Sequence, residues 1–105
     1  MNDQEFTKIN ELLDFYEDLL TEKQRYIMDL YYREDYSLSE IGELTHTSRS
    51  AIADLMKRVC RTLENYENKL HLAQKFALRK EYYDKLLAID DDHVREWVHA
   101  LIESE

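Results

Sequence analysis

The chain has 105 residues, with 23 acidic side chains against 14 basic ones and a formal net charge of −9. That length fits one domain with a modest core, and a 44% hydrophobic share is enough to fill it. The 35% charged share, with no apolar run near the ~20 residues that span a bilayer, argues against a membrane protein.

The opening MNDQEF lacks the basic and apolar regions of a signal peptide, so a cytoplasmic location is expected. The lone cysteine, Cys60, has no internal disulfide partner and reads as a reduced thiol on a helix. There is no proline and only one glycine, Gly42. Period-two alternation is absent and a 3.6 period recurs throughout, so the fold class is all-α.

A first helix is predicted from Phe6 to Leu20, with Ile9, Leu12, Leu13, Tyr16, Leu19 and Leu20 as its apolar stripe. Thr21 and Gln24 have the spacing of a capping box. They open a second helix to Arg33 that is expected to bury Ile27, Leu30 and Tyr31. Arg33 to Tyr36 is polar enough for a loop. Ser37 and Glu40 make a second capping box, opening a short third helix with Leu38, Ile41 and Leu44 inward. Thr45-His46-Thr47 reads as a turn, and Ser48 as the N-cap of a fourth helix.

The fourth helix meets no breaker before Ala88. Its seam, Ile52, Met56, Val59, Leu63, Tyr66, Leu70, Ala73 and Ala77, steps alternately by four and three, a heptad spacing. Nearly 40 residues of helix would be roughly 60 Å long at 1.5 Å per residue, more than one small core covers. Either the seam packs on the chain's own helices, with a bend or break between Leu78 and Tyr82, or a second copy covers part of it. Asp90 to Asp92 marks a loop and a helix start, with Asp90 as N-cap and Ile89 and Val94 as a hydrophobic staple. Val94, Trp97, Val98 and Leu101 form the last stripe. No repeat or low-complexity segment marks a boundary. Residues 1–105 therefore read as a single helix-turn-helix domain, with a core at 21–64 and a helical extension at 65–105 suited to dimerisation.

Charge is unevenly spread. Met1 to His46 carries a net −8 and Glu64 to Glu105 a net −4, while Thr47 to Leu63 carries a net +3. The only net-positive stretch is thus the helix after the turn, the footprint expected of a phosphate-binding element. Ser48, Arg49, Ser50, Ala53, Asp54, Lys57, Arg58 and Arg61 are its candidate nucleic-acid-binding residues. Arg49 and Ser50 suit base edges or phosphates, and Asp54 can accept from a cytosine amine but repels nearby phosphate. Arg58 and Arg61 suit backbone, or pairing with Asp54 and Glu64 at helical spacing. The whole-chain charge opposes approach to a polyanion. Tyr26, Tyr31, Tyr32 and Tyr36 cluster before the turn and suit a core edge more than base stacking.

Enzymatic chemistry is not indicated. There is no glycine-rich phosphate loop, and His46, His71, His93 and His99 form no metal-ligand spacing. Neither cofactor nor metal is expected.

Leu20 to Glu64 resembles region 4 of bacterial sigma factors, through LTxxQR, SLSEI, the SR and AI around Ser50, and a KR followed by LE. FYEDLLTEKQ, DLYYREDYSLSEI, Lys57-Arg58 and LENYENKLHL extend a resemblance over most of the chain to the YlxM family of small helix-turn-helix proteins. That resemblance implies a regulatory role linked to the bacterial signal recognition particle pathway. Its implied partners are DNA or the particle's RNA, or a protein component of the particle that the acidic surface would attract as an adaptor. A homodimer would present two recognition helices at a fixed spacing. The helix-turn-helix turn usually carries glycine and then an apolar residue, where this chain has His46 and Thr47. Glycine suits the turn because it tolerates positive φ, which histidine adopts less often but more than bulky residues do, and Thr47 leaves the wedge between the helices smaller and more polar. Gly42 sits where a small residue lets the two helices approach closely.

Overall fold

A computed structural model describes residues 2–105. Among the described residues there are six α-helices, one 3₁₀ turn and no strand. The chain divides into two compact units, Met1–His71 and Leu72–Glu105.

In the first unit, α1 (Asp3–Tyr16) starts earlier than the apolar stripe suggests, because the Asn2 side chain accepts the Glu5 N–H at 2.8 Å. Ile9, Leu12, Leu13 and Tyr16 are its buried face. The expected run to Leu20 is not all α-helix, since Tyr16 leaves helical geometry (φ −121°, ψ 2°) and Glu17–Leu19 forms the 3₁₀ turn. Helix α2 (Glu22–Tyr32) opens on the predicted capping box: Gln24 N–H donates to Thr21 Oγ1 at 3.2 Å, and Thr21 N–H to Gln24 Oε1 at 3.0 Å. It buries Ile27, Met28, Leu30 and Tyr32. Tyr32 takes the place expected of Tyr31, with its ring 4.9 Å from that of Phe6. Helix α3 (Leu38–Thr45) opens on the second capping box, between Ser37 and Glu40. It buries Ile41 and Gly42, whereas Leu44 faces solvent and Leu38 is half-buried.

Helix α4 (Arg49–Leu70) buries the first half of the heptad seam, Ile52, Met56, Val59 and Leu63. Near its end the Tyr16 hydroxyl donates to Glu67 Oε1 at 2.6 Å, and the Tyr16 and Tyr66 rings lie 5.8 Å apart. The long helix then breaks at His71, not between Leu78 and Tyr82. His71 adopts a left-handed conformation (φ 57°, ψ 31°), and its N–H closes the helix on Glu67 O at 2.8 Å. Histidine is among the non-glycine residues that enter this region most often.

In the second unit, α5 (Leu72–Leu87) and α6 (Asp92–Glu103) form a hairpin. Tyr83 Oη and Arg79 Nε of α5 donate to Glu105 Oε1 just beyond α6, so the two helices run antiparallel. Asp91, not Asp90, caps α6, accepting from His93 N–H at 2.8 Å and Val94 N–H at 3.1 Å. With Asp91 as the cap, Ile89 and Val94 no longer hold the two positions of a staple, and Ile89 is half exposed. Of the predicted last stripe only Val98 is buried, while Trp97 and Leu101 face solvent.

Candidate nucleic-acid interface

Helices α3 and α4 meet at a turn built by backbone geometry. His46 takes the left-handed conformation (φ 55°, ψ 42°) that ends α3. Thr47 N–H then reaches back to Gly42 O at 2.8 Å. A Cβ on Gly42 would stand 2.6 Å from Thr47 O, so the close approach requires glycine. Thr45 Oγ1 donates to Ile41 O at 2.8 Å and Thr47 Oγ1 to Thr45 O at 3.1 Å, which satisfies both hydroxyls inside the turn. Ser48 starts α4 by accepting the Ala51 N–H at 3.1 Å.

That start fixes where the candidate residues stand. Arg49, Ser50, Asp54, Lys57, Arg58 and Arg61 are exposed, and Ala53 is half-buried beside them. The Ser48 hydroxyl serves as a cap and lies 3.3 Å from Ser50 Oγ. Among the described residues, Arg49, Lys57, Arg58 and Arg61 make no ion pair. The pairings open to Arg58 and Arg61 at helical spacing are thus not made, and Glu64 faces Lys8 of α1 at 3.8 Å instead. Four cations remain available to phosphate, which an element already neutralised by carboxylates could not offer.

Ala53, Lys57 and Arg61 also form one wall of a cleft of about 570 Å³ between α4 and helices α1, α2 and α3. Ile9, Leu38, Met56 and Tyr31 line its apolar part, and Glu5, Lys8, Cys60 and Glu64 complete it. Lys8 was outside the sequence-based set because it is brought to α4 only by the packing of α1. Burial raises the Cys60 thiol pKa. Burial, and then the neighbouring Cys60 at 3.8 Å, raises that of the Tyr32 hydroxyl. Both shifts favour the neutral form, Tyr32 being buried and Cys60 half-buried on the cleft wall. Among the described residues no three His, Cys, Asp or Glu side chains gather as a metal site. No described helix is long and apolar enough to cross a membrane.

The family UPF0122, described as "Putative helix-turn-helix protein, YlxM / p13 like", matches residues 3–100. The chain belongs to that family. A UPF0122 protein of Oceanobacillus iheyensis is 52% identical over 96 residues, covering 90% of this chain and 91% of its own length. A UPF0122 protein of Bacillus thuringiensis is 46% identical over 100 residues, covering 93% of this chain and 91% of its own. One from Clostridium novyi is 57% identical over 68 residues, 65% of this chain and 59% of its own. The UPF0122 description agrees with the all-α fold and with the α3–turn–α4 geometry.

Proposed function

We propose that this chain is a regulatory helix-turn-helix module that binds nucleic acid through the exposed face of α4. The observation that carries this reading is four exposed, unpaired cations on α4 in an otherwise acidic chain, Arg49 in its first turn and Lys57, Arg58 and Arg61 two to three turns on, with Asp54 exposed among them. The likeness of residues 20–64 to sigma region 4 supports DNA as a target class. The YlxM-like resemblance supports a place beside the signal recognition particle, whose RNA is the first ligand to try. The module acts as a homodimer, so that two copies of α4 meet the nucleic acid together.

The test is a fluorescence-anisotropy titration of the particle's RNA over a salt series, with random duplex DNA as competitor. Saturable binding that outlasts the competitor and weakens with salt is expected. Four phosphate contacts per chain give a log–log slope of about −3 for each, and Lys57→Glu with Arg58→Glu should remove about half of it. No binding at low salt would remove the RNA reading and leave a sequence-specific DNA operator as the nucleic-acid target. Binding of a protein component of the particle that is unchanged by the Lys57/Arg58 reversal would favour the acidic adaptor reading instead.

A further inference from the structure

Residues 72–105 are too few to be stable by themselves. Chains below about 40 residues need a disulfide, a metal or an oligomeric partner to fold, and among the described residues of this unit only Ala73 and Val98 are buried. Eight large apolar side chains of the unit stay exposed, and besides Leu72, Ile89 and Ile102 they fall in two stripes. Leu78, Tyr82 and Leu86 are 57%, 54% and 38% exposed, four residues apart on α5, and Trp97 and Leu101 are 63% and 50% exposed, four apart on α6.

These two stripes lie on the same side of the hairpin. Tyr82 and Leu86 stand one residue before and three after Tyr83, which bonds across to Glu105. Trp97 and Leu101 stand in the same relation to the buried Val98. Equal rotation away from the seam, in an antiparallel pair, turns both stripes to one side.

We propose that this face is covered by the same face of a second copy, two hairpins closing into an antiparallel four-helix bundle with α5 of one chain against α6 of the other. Two observations select a second copy. Each of the five side chains exposes on the order of 100 Å², so two faces bring together roughly 1,000 Å², the threshold of a specific interface. The helices are also oppositely charged. Helix α5 has four basic and two acidic residues, a net +2, and α6 has one basic and three acidic, a net −2. A two-fold axis lays each helix beside its opposite. The proposal rests on the dimeric state put forward above and is independent of nucleic-acid binding.

Trp97 is the only tryptophan, so the unaltered full chain reports on its own face. Light scattering should give twice the 12.8 kDa chain mass. Trp97 emission should be blue-shifted in the dimer and move to the red on dilution, in step with the mass. Leu78→Glu with Leu101→Glu should raise the dimer dissociation constant at least ~30-fold while helicity by circular dichroism is kept. A dimer whose Trp97 emission ignores dilution overturns the hairpin interface and leaves the dimeric state standing. A single-chain mass at every concentration overturns both. Should the double variant fail to fold, the dilution series on the unaltered chain decides.

Discussion

Gly42 and His46 sit four residues apart at the same turn and are constrained in opposite ways. Gly42 has helical geometry and could accept a side chain by its dihedrals, but Thr47 O blocks the space at 2.6 Å. Gly42→Ala should therefore destabilise the protein. The helix-propensity gain of about 1 kcal/mol is outweighed by an overpacking cost of about 1–3 kcal/mol against backbone that cannot rotate away. Urea unfolding should give a net loss of about 1 kcal/mol, and a gain would show that the turn relaxes freely. His46 has space but holds φ at 55°. His46→Gly should stabilise by about 0.5 kcal/mol, the relieved left-handed cost of about 1–2 kcal/mol being partly offset by glycine's greater unfolded-state entropy. An unchanged or lower midpoint would mean that the imidazole makes a compensating contact.

At the scale of single elements, what the sequence revealed was local. Both capping boxes join residues three apart, so Thr21 with Gln24 and Ser37 with Glu40 could be read directly and are present. The basic cluster of α4 was legible for the same reason, lying within thirteen residues of one helix. What failed was whatever depends on a neighbour distant in sequence. Periodicity pointed to Tyr31, whereas the adjacent Tyr32 is the buried one, its ring 4.9 Å from that of Phe6 against 6.2 Å for Tyr31. The break at His71 has no glycine or proline to mark it, and in sequence the heptad seam runs straight through it. Leu44, Trp97 and Leu101 fit their stripes but stay about half exposed or more, Trp97 with the His93 ring stacked on it at 5.9 Å. Lys8 reaches the cleft beside α4 only because α1 packs there. The fold class and the turn were thus readable from short-range chemistry, whereas the depth of each side chain and the reach of the site came from tertiary packing.

For the molecule as a whole, charge sets two opposing demands. A net −9 opposes approach to a polyanion at long range, and the proposed binding asks the +3 stretch to attract one at contact. Part of the acidic excess is absorbed inside the first unit. Arg33 Nη2 lies 2.7 Å from Asp14 Oδ1 and 2.5 Å from Glu17 Oε2, and its Nη1 lies 3.3 Å from Asp29 Oδ1. Arg25 adds a second contact to Glu17 at 2.7 Å. One guanidinium therefore ties α1, the 3₁₀ turn and α2 together. The Arg33 hydrogen bond holds the Glu17 carboxyl below the usual carboxylate range, against the opposing effect of its partial burial. Because the folded value is depressed, the stabilisation is complete above the unfolded value of about 4.3 and is lost as pH falls through the folded value. Arg33→Ala should cost about 1–3 kcal/mol at pH 7, the range of charge-assisted hydrogen bonds, with some reduction because Arg33 is 28% exposed. The gap between the two proteins should then narrow below about pH 4, since a protonated Glu17 no longer distinguishes arginine from alanine by charge. Urea unfolding of both proteins from pH 7 down to about pH 2 measures it. A gap that stays constant over that range would mean that Arg33 holds the unit together by the packing of its aliphatic stem, with its charge contributing nothing.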